Sequence, residues 1–323
     1  MPTAHRLGFA VKVLGDGGLP SHDTRRWQSG PHLRHSLELL GAILERLERD
    51  DVRMYRLPTQ LAPYATLPGH PEFHGQVGEC ADELAAIGER VAELGIRLSS
   101  HPGQYTVLNS ENPETQRAAA AELEVQGALF DAMGLGPEAV VVLHVGGAAG
   151  GADAARGRFE EGFGLLSDAA RRRLVIENDD RTFGLVDVLP LARAIDRPVV
   201  FDVLHHHCHD PEGLTVAEAL PLALDTWPDD VRPKIHYSSP RTVLGEKERK
   251  VGRRVERTPV LPQLRAHADT IDPIGFEELL RGPLGARDVD VMLEAKAKDL
   301  ALLALRDHLV GRGFAWRAGE LLV

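Results

Sequence analysis

Three imidazoles and three carboxylates recur in this chain at one kind of place, the end of an apolar, β-branched run or the residue just after it. His101 follows IRLSS, His144 closes AVVVLH, Glu177 closes LVIE, Asp202 closes VVFD, His236 closes PKIH and Glu294 closes VDVMLE, while Arg56 ends the earlier VRMYR. Taken singly, each is ordinarily a hydrogen-bonded structural or surface residue. Six of them in series need another explanation, because gathered carboxylates and imidazoles are electrostatically costly unless cations lie between them. The implied chemistry is that of a metal centre.

Further histidines enlarge the set. His205 lies three residues past Asp202 in FDVLHHHCHD, on the loop leaving the same strand end; His206, His207 and His209 are set aside, since a short His-rich turn is often only partly used. His267 in LRAHADTI and, at the margin, His70 in LPGHPEF occupy segments that reach the same face. Lys234 precedes His236 by two residues and so shares its face of the strand. An ammonium buried beside metal ions is disfavoured, so Lys234 is neutral, paired with a carboxylate, or converted to an anionic carbamate that could itself bind metal. Three carboxylates against mostly neutral nitrogen leave three divalent ions with net positive charge even if Lys234 becomes an anion, which suits a phosphodiester. A metal-dependent sugar isomerase is the alternative, but such sites favour oxygen ligands for magnesium or manganese around a neutral polyol.

Residues so far apart in sequence converge only if parallel strands close into a barrel and present their C-terminal ends at one face. Eight runs qualify, at 6–13, 52–57, 96–100, 139–144, 174–177, 198–202, 233–237 and 289–294, and amphipathic segments such as 32–50, 80–95 and 113–134 alternate with them. That alternation is the pattern of βα units. The predicted fold is therefore α/β, a single (β/α)8 TIM barrel over 1–312 with the metal site at the C-terminal face, followed by a tail, 313–323, with no assigned place. Two connections exceed the usual βα length, 14–31 and 238–272. The second carries Arg241, Lys247, Arg249, Lys250, Arg253, Arg254 and Arg257 against Glu246, Glu248 and Glu256 in a chain of net charge −11. It is either a phosphate-backbone contact or a solvated loop.

Cys80 and Cys208 form no disulfide or thiolate zinc pattern, the N-terminus lacks a secretory signal, and no run approaches the ~18 apolar residues of a membrane span. A cytoplasmic protein without an obligate protein partner is expected.

The ordered motifs GHP (69–71), SSHPGQY (99–105), LHVGG (143–147), IENDD (176–180), FDVLHH (201–206), KIH (234–236) and VMLEAKAKD (291–299), with RLG near the N-terminus, resemble the UV damage endonuclease family over about residues 6–300. The resemblance implies a barrel related to endonuclease IV that holds two or three divalent ions, manganese first with zinc or cobalt as alternatives. It also implies an activity: nicking double-stranded DNA immediately 5′ to UV photoproducts, and in the broader reading other distorting lesions or abasic sites, to leave 3′-hydroxyl and 5′-phosphate. Carried over, the metal ligands are His101, His144, Glu177, Asp202, His205, His236, His267 and Glu294, with a modified Lys234 and His70 nearby. Glu177, Lys234, His236 and Glu294 are the catalytic set. Gln104 and Tyr105 match a pair pushed into the duplex at the lesion, and Phe9, Arg253 and Arg254 are further candidate DNA contacts. Phe9 stands where a tyrosine is common, and Val13 where a polar residue can occur. A non-catalytic damage-binding protein is a third reading, which the intact ligand set opposes.

Overall fold

The computed structural model describes residues 2–251 and 254–323. Strands β1 (Ala4–Ala10), β2 (Met54–Arg56), β3 (Arg97–Ser100), β4 (Val140–His144), β5 (Leu174–Glu177), β6 (Val199–Asp202) and β7 (Lys234–Tyr237) pair in parallel in chain order. An antiparallel ribbon of β8 (Gly245–Val251) and β9 (Arg254–Val260) follows, and then β10 (Asp290–Leu293) pairs in parallel with both β7 and β1. The result is a closed eight-stranded barrel with helices between its strands, the TIM barrel expected.

Local signals set the helices. In Pro113–Ala132 the Asn112 side chain accepts a hydrogen bond from Glu114 N at 2.9 Å, Pro113 occupies the first turn where no N–H is needed, and Gly134 just beyond takes φ 66°. Helix Leu33–Arg49 buries Leu33, Leu37, Leu40, Ile43, Leu44 and Leu47, a stripe at helical spacing that packs on the sheet.

Alternation along the strands sorts two cores. Val141, Leu143, Leu174, Ile176, Val199, Phe201 and Ile235 point outward to the helices, whereas Val140, Val142, Val175 and Val200 fill the barrel with Trp227 and Val231. Met54, Met292 and Ala10 form a further interior group. Gly8 faces Met54 so closely that a Cβ there would lie 2.7 Å from Met54 Cγ. Below, fully buried Arg97 meets Asp290 at 2.9 Å.

Two segments carry structure that pattern reading did not assign. The tail forms a hairpin of β11 (Ala315–Arg317) and β12 (Glu320–Leu322), and β12 pairs antiparallel with the start of β1, Leu321 opposite His5. Leu321 is buried, worth about 1.5–3 kcal/mol for a side chain of its size. The basic connection is the β8–β9 ribbon, exposed along the whole of β9.

Candidate functional site

The interior face of six of the eight strands leads to one site residue at or just past its upper end. Arg97 and Ser99 lead to His101, Val140 and Val142 to His144, Val175 to Glu177, Val200 to Asp202, Lys234 to His236, and Asp290 and Met292 to Glu294. Strand register then sets neighbours: His144 lies opposite Glu177, and Asp202 opposite His236.

Glu177 is the hub. Its Oε1 lies 2.7 Å from His236 Nδ1 and 3.6 Å from His205 Nδ1, and its Oε2 lies 2.9 Å from His101 Nε2 and 3.5 Å from His144 Nε2. Glu294 adjoins His236 Nδ1 at 3.4 Å and His267 Nε2 at 3.7 Å, and it is also paired with Arg56. His205 is not on a loop. Asp202 caps the short helix Val203–Cys208, accepting from His205 N at 2.7 Å, and so holds His205 in its first turn.

The crowding of buried carboxylates and imidazoles shifts each group from its ordinary range. Burial would raise the Glu177 carboxyl, but His236, His144 and His101 together hold it well below the usual carboxylate range. Burial pushes the Asp202 carboxyl up, and Glu177 and Glu294 add to that. Burial would lower His205, yet Asp202, Glu177 and Glu294 outweigh it and push the imidazole up to about 9. Burial, with Arg56 and Arg97 nearby, drives the Lys234 ammonium far below its ordinary value, towards a neutral amine that donates to Ser99 Oγ at 2.9 Å.

The donor set fits metal ions. Asp202 Oδ2, His144 Nδ1 and His236 Nε2 are buried without a hydrogen-bond partner, and each such atom costs about 1–3 kcal/mol unless something engages it. Three triplets bring one ligand atom from each member within 4.8 Å of the others: His101, Glu177 and His236; His144, Glu177 and His205; Asp202, His236 and Glu294. Glu177 and His236 each belong to two of the triplets.

Other residues singled out in the sequence fall elsewhere. His70 belongs to none of these triplets; its ring centroid lies 4.5 Å from that of Trp27 with the planes tilted by 49°, and its Nδ1 lies 2.9 Å from Glu72 Oε1. Phe9 is corrected outright as a DNA contact, being 1 % exposed with its ring edge-on to Tyr55 on the helix-facing side of β1. Gln104 and Tyr105 stand on the loop after β3, in the turn that Thr106 N closes onto Gly103 O at 2.9 Å, and Tyr105 is 84 % exposed. Arg254 lies on the exposed ribbon, and Arg253 lies outside the described residues. Three residues were given no role from sequence: Arg56 beside Glu294, Ser99 beside Lys234, and Asn178. The Asn178 amide donates to Asp202 O at 3.1 Å and accepts from Asp202 N at 2.9 Å, tying β5 to β6 where both end. Ser99 was within reach of the same two-residue spacing that singled out Lys234, since it shares a strand face with His101.

A TIM barrel with His, Asp and Glu triplets at its C-terminal mouth defines a class of barrel proteins able to hold several metal ions. Within that class the chain belongs to the UV-endonuclease UvdE family, whose model matches residues 35–314. It is 34 % identical over 263 residues to the UV DNA damage endonuclease of Bacillus pumilus, covering 80 % of this chain and 75 % of that one. The crystal structure of SacUVDE superposes with a TM-score of 0.80 at 30 % identity, covering 96 % of this chain and 99 % of that chain. A sugar phosphate isomerase/epimerase homologue from Anabaena variabilis superposes with a TM-score of 0.52 at 12 % identity over 94 % of this chain and 88 % of its own, a likeness of fold alone.

Proposed function

We propose that this protein is a DNA-repair endonuclease that nicks duplex DNA immediately 5′ to UV photoproducts, leaving a 3′-hydroxyl and a 5′-phosphate. The observation that carries the reading is the trio of ligand triplets linked through Glu177 and His236 at the barrel mouth, in a chain of the UvdE family. Divalent ions, manganese first and zinc or cobalt as alternatives, when bound by His101, His144, Glu177, Asp202, His205, His236, His267 and Glu294, would supply Lewis-acid stabilisation of the phosphodiester and lower the pKa of water.

The chain's own residues do the positioning. Glu177 aligns four imidazoles through its two oxygens, Asn178 fixes the backbone of Asp202, and Arg56 holds Glu294 in place. Burial favours the uncharged amine of Lys234, the form with a free electron pair to attack carbon dioxide; forming the N–C bond and losing one proton would give a carbamate, a fourth anion beside His236. Gln104 and Tyr105 would enter the duplex where damaged bases leave the stack, since an aromatic ring fills that gap and damage lowers the cost of unstacking.

Supercoiled plasmid, irradiated or not, incubated with the protein and manganese tests the reading. Nicking confined to irradiated plasmid supports it. Nicking of neither, with epimerisation of a ketose instead, would move the chain to the sugar-isomerase reading that the shared barrel allows.

A further inference from the structure

The β8–β9 ribbon has two faces of different charge. Direct cross-strand pairs share a face, and the register places Lys247 opposite Thr258 and Arg249 opposite Glu256 on one side, with Arg254, two residues before Glu256, on that same side. Glu246 opposite Pro259, Glu248 opposite Arg257 and Lys250 opposite Val255 make up the other. The second face is balanced by count, Lys250 and Arg257 against Glu246 and Glu248, and Arg257 lies 3.0 Å from Glu248 and 3.9 Å from Glu246. On the first face Lys247, Arg249 and Arg254 outnumber Glu256, and among the described residues none of the three closes an ion pair, not even Arg249 with the Glu256 opposite it. Lys247 and Arg249 are exposed and about 6.6 Å apart along the strand at ordinary strand rise.

A free-standing two-stranded ribbon is marginal in water, and this one is exposed along β9, so it adds little to the stability of the barrel. Its unpaired cations stand out against a chain of net charge −11. A polyanion is the partner that neutralises them, and the ribbon emerges between β7 and β10, the two strands that carry His236 and Glu294 to the metal site. We propose that the Lys247/Arg249/Arg254 face of the ribbon is a clamp for the phosphate backbone of duplex DNA, and that the Lys250/Arg257 face is not. This rests on the endonuclease reading and deepens it by assigning a DNA surface outside the metal centre. Cations of this kind grip any duplex, because phosphates carry no sequence or lesion information.

The test compares two double variants that remove equal charge, Lys247→Gln with Arg249→Gln, and Lys250→Gln with Arg257→Gln, with Arg254→Gln as a third protein. Binding to irradiated and unirradiated duplex is measured by fluorescence anisotropy across a salt series, in the manganese-loaded full chain, with circular dichroism to verify folding. Each phosphate deprived of its protein cation should flatten the plot of log K against log salt by about 0.9. The first double variant should therefore drop by about 1.8 in slope, and by roughly tenfold or more in affinity at low salt, equally for both duplexes. Arg254→Gln should drop by about half that slope, and the second double variant should stay within about twofold of the parent. Equal weakening of the two double variants would reduce the ribbon to bulk charge and overturn the assignment, as would no weakening of either. If the parent binds duplex and the first face behaves as expected but irradiated plasmid is not nicked, the endonuclease reading fails while the clamp stands. A parent that binds no duplex removes both.

Discussion

Removing the loop pair Gln104 and Tyr105 together, as Gln104→Ala with Tyr105→Ala, separates lesion sensing from catalysis. Tyr105 is 84 % exposed and lies outside the core, so the double variant should change folding stability by no more than about 0.5 kcal/mol, the range of surface substitutions. The effect should appear on DNA. An aromatic side chain stacked on a base is worth about 1–3 kcal/mol, so binding to irradiated duplex should weaken roughly 5- to 150-fold. Affinity for undamaged duplex should hardly move, because there the stack is intact and the ring has no gap to fill. Metal binding should survive, since neither residue belongs to a ligand triplet. The assay is competition binding of irradiated against unirradiated duplex at matched salt, with thermal unfolding and metal content measured on the same protein. A double variant that keeps its full preference for irradiated DNA would refute the wedge and move lesion sensing elsewhere, first to the 14–31 segment.

Glu177→Gln and Asp202→Asn should abolish incision and lower bound manganese together while the fold persists, because each amide keeps the volume and removes an anionic ligand; near-normal turnover in either variant would remove that carboxylate from the mechanism. Intact-mass measurement under non-acidic conditions should find Lys234 carrying the added mass of one carbon dioxide, and a plain amine in a fully metallated protein would sink the carbamate. Asp290→Ala should destabilise the protein by roughly 3–5 kcal/mol in urea unfolding, since it leaves the fully buried Arg97 guanidinium without its carboxylate 2.9 Å away; a destabilisation below about 1 kcal/mol would mean that water or another acid reaches Arg97.

The barrel and the identity of its rim were legible in the chain itself. Parallel strands buried on both faces must be continuous apolar runs, so an ionisable residue at the end of such a run stands out against it, as His144 does after AVVVL and Asp202 after VVF. Period two along a strand also separates Lys234 and His236, which face the interior, from Ile235 and Tyr237, which face the helices. Read the same way, it would have assigned Ser99 to the site and Phe9 to the outer core, because Gly8 and Ala10 on either side of Phe9 line the interior.

What the chain order could not decide is which ends touch. Glu177 becomes a hub because strand stagger sets His144 opposite it, and because the closed barrel brings His101 and His236 to within 2.9 Å of its oxygens. His70 and His267 both sit on segments that reach the rim, yet one lies against Trp27 and the other lies 3.7 Å from Glu294, a difference made by packing of long connections with no periodicity to read. The two faces of the basic ribbon and the pairing of β12 with β1 are of the same kind. Residue type and local period determine what each side chain can do and which way it points from its own strand; register, closure and loop packing, which depend on contacts between residues far apart in the chain, determine what it meets there.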